Sequence, residues 1–390
     1  MKILMIHNEY AAPSGEETEF FGIVNVLRDH GHNIRTYTRT SVELGRIKLG
    51  LARAFFAGIY NPFSAKYIKT LVRSFKPDAA ITQNLFPLIS PSILPSLRDA
   101  NVPVLMRVSN YRLICPNGLH LRGGTVCERC RNGREYWCFL LNCEGNLFKS
   151  LGYALRGYTS RSLGLFKKNV SAYFCSSHFL RGRLIEAGFD PSKIHIIPNL
   201  MPDKEEFKAA DSHNGDEYVG YAGRISEEKG ARVLFDAAAA CPDIPFRIAG
   251  RVRHSFRLSN PLPHNVRMVG FLQGYELDDF YRCARLLVNP SICFETFGIS
   301  VAEAMLHGKP IIVSRIGVFR ELVQEGVTGL LSVPGDADDL SDKIRYLWAH
   351  RDICKRIGRA GKEKVMSEYS SGLFYKKLMT VLEQLIEIQG

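Results

Sequence analysis

The sequence predicts an α/β protein made of two doubly wound parallel sheets, one in each half of the chain. Three observations predict it. Short apolar runs alternate with stretches whose apolar residues recur at helical spacing. Many of those runs end in Gly, Asn or Ser, the residues that turn a strand into a ligand-facing loop. The 390 residues exceed what one core usually supports. Residues 201–217 are polar and carry no core pattern. They read as a linker between a first domain, 1–200, and a second, 218–369.

In the first half, residues 2–6 form an apolar run, a buried strand. A loop follows to Gly15, then a helix over 16–30 with Phe20, Ile23, Val24 and Leu27 on its inner face. Gly31 stops that helix and 34–37 is the next strand, a βαβ start. Gly15, preceded by Ser14, allows close approach of backbone to a sugar phosphate; the alternative is an ordinary strand-to-helix loop. Residues 46–76 hold seven Lys or Arg and no acid, interleaved with Phe55, Phe56, Tyr60, Phe63 and Tyr67. Such a helical pair reads as a contact for an anionic membrane surface, or as a solvated basic face. No nucleic-acid module surrounds it, so nucleic acid is not expected as a partner. Strands at 78–82 and 102–108 end at Asn84 and at Ser109, Asn110, Tyr111 and Arg112, which become candidate acceptor contacts. The segment after them carries Cys115, Cys127, Cys130, Cys138 and Cys143. One C-x-x-C pair with further cysteines fits a structural zinc on Cys115, Cys127, Cys130 and Cys143, or a loop of free thiols. A strand at 173–177 runs into a helix capped by serine, and 194–198 closes the first domain.

The second half opens with a strand to Gly223. Arg224 and Lys229 follow, placed to converge on one anion at a helix start near Gly230. Further strands are expected at 246–250 and 266–271. Asp278-Asp279 and Asp336, Asp338 and Asp339 lie at helix starts, where the dipole favours acids, so they are not read as a metal site. The most informative stretch is 290–329. Glu295 and Glu303 are eight positions apart, separated by Thr296, Phe297, Gly298 and Ile299 and then an apolar helical segment. A helix starting near Gly298 presents bare N–H groups and a positive dipole end, a seat for phosphate. A strand at 311–313 follows. A last helix spans about 370–390.

Composition narrows the class. There is no run of 18 apolar residues and no leader-like N-terminus, so no membrane span and no signal peptide are expected. Ten cysteines without a secretory signal point to a reducing compartment, hence a cytoplasmic location. Residues 1–200 carry 26 Lys+Arg against 13 Asp+Glu, and 201–390 carry 25 against 26. The excess positive charge therefore lies in the first half, which suits a polyanionic partner such as the inner membrane surface or a lipid pyrophosphate.

The ordered set Glu295-x7-Glu303, Phe297-Gly298, Gly308-Lys309-Pro310, Glu321 and Gly326-x-Thr328-Gly329 resembles the donor-binding core of glycosyltransferase family 4. The 80–145 region resembles the members that assemble bacterial capsule, exopolysaccharide and O-antigen. The resemblance covers essentially the whole chain. It implies a GT-B architecture, two Rossmann-like domains facing a cleft, with the last helix returning to the first domain. It implies retaining transfer of a hexosyl group from a nucleotide diphosphate-sugar to a saccharide acceptor, lipid-linked, with no catalytic cofactor or divalent metal. Arg224, Lys229 and the Gly298 helix start would hold the diphosphate, Glu303 the ribose and Glu295 the donor sugar. Thr296, Phe297, Ile299 and Gly15 would complete the donor site. Relatives usually keep histidine at the position of Ser109, which here inherits the catalytic place. The alternatives are a non-catalytic nucleotide-sugar binding partner in an assembly complex, and a nucleotide-sugar 2-epimerase of the same architecture.

Overall fold

The computed structural model describes residues 1–11, 15–46, 50–201, 217–254, 256–258 and 261–388, with backbone alone at 45–46 and 50–53. Ser14 and nearly all of the expected linker lie outside the described residues. The strands run β1 (Lys2–Glu9), β2 (Asn33–Thr40), β3 (Ala79–Thr82), β4 (Val104–Arg107), β5 (Leu121–Arg122), β6 (Thr125–Val126), β7 (Ala172–Cys175), β8 (Ile194–Ile196), β9 (Tyr218–Ala222), β10 (Phe246–Ala249), β11 (Val266–Gly270), β12 (Ala284–Asn289), β13 (Ile311–Ser314) and β14 (Leu330–Ser332). They form two six-stranded parallel sheets and one short antiparallel hairpin, β5–β6. The chain divides into two compact units: Met1–His120, Glu128–Leu200 and Ser371–Gly390 in one, Leu121–Cys127 and Met201–Ser370 in the other. The hairpin thus groups with the second unit, whereas the sequence reading places it in the first.

The first sheet has the order β2-β1-β3-β4-β7-β8. Its central strands are buried on both faces, so they read as apolar runs rather than as alternation. The helix Gly15–Asp29 buries Phe20, Ile23, Val24 and Leu27. The last helix, Ser371–Glu387, joins this core through Phe374, Leu378 and Leu382. Helix Pro62–Phe75 is set by an Asn61 cap, whose Oδ1 accepts from the Phe63 and Ser64 N–H groups, and by proline in its first turn. It buries Ile68, Leu71, Val72 and Phe75.

The second sheet has the order β11-β10-β9-β12-β13-β14. Two of its strands, the central β12 and the edge strand β14, are not named by the sequence reading. Asp336 caps the helix Ala337–Ala349 by accepting from the Asp339 N–H at 3.0 Å, so it lies at a helix start, as its sequence position suggests. Among the described residues no helix is long and apolar enough to cross a membrane.

Candidate functional site

In the second unit the strand order reverses between β9 and β12, and the loops after these strands interlock at the carboxyl edge of the sheet. Gly230 has φ +72°, and a Cβ there would lie 1.8 Å from the Pro290 carbonyl oxygen, so only glycine lets the two backbones meet. The Ile292 N–H donates to the Glu228 carbonyl at 3.1 Å, and the Ser291 hydroxyl oxygen lies at the same distance from it. This contact carries Lys229 to Glu295: Nζ donates to Oε1 at 2.6 Å, and the Ser291 hydroxyl donates to the same oxygen at 2.7 Å. Arg224 donates to Glu228 Oε1 at 2.8 Å and Arg253 to the same atom at 2.9 Å. Each of the two cations, which the sequence reading expects to converge on one anion, thus has a carboxylate partner. Burial opposes charge on Glu228, but Arg224 and Arg253 outweigh it and hold the carboxyl below its ordinary range. Burial likewise opposes charge on Lys229, and Glu295 outweighs it, so the ammonium is retained.

The helix Ile299–Leu306 begins beside this pair. Its cap is Gly298, φ +92°, where a Cβ would meet the Phe319 ring at 2.5 Å, and no side chain caps its first turn. The backbone amides and the positive dipole end therefore supply the electrostatics there. Glu303, on the same helix, accepts from the Tyr281 hydroxyl at 2.7 Å. Burial pushes its carboxyl up to about 7, against the pull of that hydrogen bond. Thr296 is half-buried, and Ile299 packs partly against the core. Phe297 is a core residue, 2% exposed and 5.0 Å from the Tyr369 ring, so its side chain supports the loop from behind. Lys309 and Thr328 are structural too: Lys309 donates to the Arg282 carbonyl at 2.6 Å, and Thr328 Oγ1 accepts from the Gln324 N–H at 2.8 Å.

In the first unit the order reverses between β1 and β3. There the meeting point is Glu16, in the first turn of Gly15–Asp29. Ser109 donates to its Oε2 at 3.1 Å, Asn110 Nδ2 to Oε1 at 3.2 Å and Tyr10 to Oε1 at 3.1 Å. Arg112 Nη1 donates to the Tyr10 hydroxyl at 2.7 Å and to Asn84 Oδ1 at 3.2 Å. Burial, with Glu16 close by, pushes the Tyr10 phenol above its ordinary range. Two of the expected acceptor residues take structural places instead. Asn84 is 4% exposed and donates to the Asn8 and Phe86 carbonyls, which fixes the loop after β3. Tyr111 is 1% exposed and packs edge-on to His120. Ser109, Asn110 and Arg112 line a narrow pocket together with Gln83 and Arg107.

The expected zinc site is not formed: among the described residues no three His, Cys, Asp or Glu side chains are gathered as a metal would need. Cys115 bonds Asn117 Oδ1 at 3.0 Å. Cys138, outside the expected ligand set, is the cysteine hydrogen-bonded to Cys143, and Cys127 falls in the other unit.

Sequence reasoning missed Glu16, Tyr10, Glu228 and Tyr281. Glu16 was legible only as an acid in a first helical turn, which the dipole alone explains. Tyr281 had no signal, because its partner is 22 residues away on another helix.

Comparison with known proteins adds the following. The family model described as glycosyl transferases, group 1, matches residues 202–364. An uncharacterized glycosyltransferase of Methanocaldococcus jannaschii is 32% identical over 249 residues, covering 59% of this chain and 68% of the relative. An uncharacterized 42.6 kDa protein in the cps region of Klebsiella pneumoniae is 28% identical over 299 residues, covering 73% of each. Among solved structures, Anabaena HepE in complex with UDP and glucose superposes with a TM-score of 0.70 at 18% identity, covering 98% of this chain and 100% of that one. At that identity the likeness is one of fold.

Proposed function

The chain belongs to the group 1 glycosyl transferases, and on that premise we propose that it moves a hexosyl group from a nucleotide diphosphate-sugar to a saccharide acceptor, with retention. The observation that carries the reading is the interlock of the β9 and β12 loops. It joins Lys229 to Glu295 just ahead of a helix start that no side chain caps, with Arg224 on the Glu228 of the same loop. Departure of a nucleotide diphosphate needs positive charge fixed before the bond breaks. Arg224, half exposed, turns a forked face to the phosphates, and Lys229 has two ammonium protons beyond the one given to Glu295. The Gly298 helix start adds backbone donors, with Thr296 and Ile299 flanking it. Glu295 then keeps Lys229 charged and accepts from hydroxyls of the donor sugar. Glu303 turns from Tyr281 to the ribose. These groups supply the charge without a divalent metal. No enzymic nucleophile is assigned. In the first unit Gly15, Ser109, Asn110 and Arg112 serve the sugar side. The cps-region relative and the UDP-bound neighbour support surface-polysaccharide assembly and a uridine donor.

A calorimetric screen of UDP, GDP, ADP and dTDP tests the reading. One of them should bind wild type and bind Arg224→Ala about a hundredfold more weakly. Binding by none sinks it. Donor hydrolysis by wild type and not by Glu295→Ala separates the enzyme from a non-catalytic binder.

The lipid-linked acceptor is supported by a separate surface. Phe56, Tyr60, Phe63 and Tyr67 are 67%, 50%, 78% and 52% exposed, and Lys66, Lys69 and Arg73 are exposed among them. Exposed aromatic rings and cations along the helices Gly50–Ile59 and Pro62–Phe75 and the link between them suit an anionic bilayer. Replacing Lys66, Lys69 and Arg73 by Glu should weaken binding to phosphatidylglycerol vesicles at least tenfold; unchanged binding removes the membrane from the account.

A further inference from the structure

Glu228 sits where three loops of the second unit meet. Its carbonyl receives the Ile292 N–H from the loop after β12, and its carboxylate receives the other two loops. Arg224 comes from the loop after β9 and Arg253 from the loop after β10. Both donate to the same atom, Oε1, at 2.8 and 2.9 Å. Glu228 is 3% exposed, while the two guanidinium side chains are 50% and 41% exposed. Arg253 does not depend on this bond for its place. Its N–H donates to the Ile225 carbonyl at 2.9 Å, and the Ile225 N–H donates to the Arg251 carbonyl at 3.0 Å. The two loops therefore run side by side on backbone bonds.

The charges give Arg253 a task. Arg224 and Lys229, the cations assigned to the diphosphate, each sit on a carboxylate, Glu228 and Glu295. These four groups sum to zero, a weak field for a leaving group that carries several negative charges. Arg253 joins the set through Glu228 and brings the sum to one positive charge. The other cation of its loop, Arg251, lies over the Phe271 ring at 4.3 Å instead. A buried carboxylate stripped of its cation is strongly unfavourable. While Arg253 holds Glu228, that penalty does not arise, and the half-exposed Arg224 gives up its bond at little cost. Without Arg253, Glu228 and a phosphate compete for Arg224.

We infer that Arg253 is a positioning residue of the donor site: it keeps Glu228 paired and so releases Arg224 to the diphosphate, without touching the diphosphate itself. The inference rests on the donor reading of this site.

The test is a double-mutant cycle, read by calorimetry on the full chain with whichever of UDP, GDP, ADP and dTDP binds wild type. Arg253→Gln should weaken that nucleotide about tenfold. Adding Glu228→Gln removes the competitor for Arg224 and should restore the affinity to within about twofold of wild type. In the wild-type background Glu228→Gln should improve binding by about twofold at most, because Arg253 already holds the carboxylate. Unfolding midpoints are measured for every variant, and where Glu228→Gln does not fold, Glu228→Met takes its place in both backgrounds. A folded Arg253→Gln with unchanged affinity, while Arg224→Ala still loses the nucleotide, overturns the inference and leaves the donor reading standing. A loss that the second substitution does not restore overturns it as well, since Arg253 would then touch the phosphates or merely hold its loop. So does an equal gain from Glu228→Gln in both backgrounds, which would make the two residues independent. Binding of no nucleotide by wild type overturns the donor reading, and this inference with it.

Discussion

The two units solve one problem in two ways. Both are six-stranded parallel sheets, and both gather polar groups where the strand order reverses, between β1 and β3 in the first and between β9 and β12 in the second. In the second unit the gathering is done by backbone. Gly230 lies against the Pro290 carbonyl, Ser291 and Ile292 meet the Glu228 carbonyl, and the Gly298 helix start needs no side chain. In the first unit it is done by side chains: Ser109, Asn110 and Tyr10 converge on Glu16, and Arg112 reaches it through Tyr10. A backbone-built site tolerates few residue types at its contacts. A side-chain network can be rebuilt with other residues.

That contrast can be broken by experiment, beginning where the effect is largest. Lys229→Met leaves Glu295 without its cation and removes charge from the departing diphosphate. Turnover, read as nucleotide release, should fall on the order of 10²–10³. A loss under tenfold would mean that the interlock is scaffold only. Next, Gly230→Ala places a methyl group 1.8 Å from a carbonyl oxygen at a positive φ. It should cost about 3 kcal/mol in urea unfolding, and a near-neutral result would show that the two loops part easily.

The third test is one of pH. Glu303 has its folded value raised to about 7 from an ordinary 4.5, so the folded state binds the extra proton between those limits. Stability should therefore fall as pH rises from about 4.5 to about 7, by roughly 1–2 kcal/mol for a half-buried group. Glu303→Gln should flatten that slope. Nucleotide affinity should move the opposite way in wild type, rising toward pH 8 as the carboxylate becomes free to accept from ribose. Smallest is Ser109→Ala. It removes one hydrogen bond from a network with other members, and should cost about 1 kcal/mol of stability or less. A cost as large as that of Gly230→Ala would erase the distinction between the units.

The same contrast explains what could be read from the sequence. The parallel sheets were legible because strands buried on both faces leave apolar runs, as at Ile3–Ile6 (all under 1% exposed) and at Ile311 to Val313. The helix start at Gly298 was legible because a glycine before an apolar helical stretch has few other uses. The short strand β14 was not, since Leu330-Leu331-Ser332 has no period of its own and is fixed by pairing with β13; β12 carries the apolar run Leu286-Leu287-Val288 and was missed all the same. Arg224, Lys229 and Glu295 were found, while the carboxylate partner of Arg224 was not: Glu228 lies beside Lys229 in sequence yet bonds Arg224 and Arg253. In the first unit, Asn84 and Tyr111 were singled out from strand ends alone. A strand end says where a residue is, but not whether its amide turns inward to hold the loop.

The last helix gives the chain an unusual order of assembly. Phe374, Leu378 and Leu382 complete a core that otherwise consists of residues before 201, and Tyr375 stacks on His30 at 3.6 Å. On the ribosome, residues 1–200 emerge first, but their core cannot close until the closing helix has been made. The second unit, apart from one hairpin, is a single uninterrupted stretch and can finish earlier. The half translated first is thus the half completed last, so a premature stop near codon 370 would cripple a surface whose own codons were all read correctly.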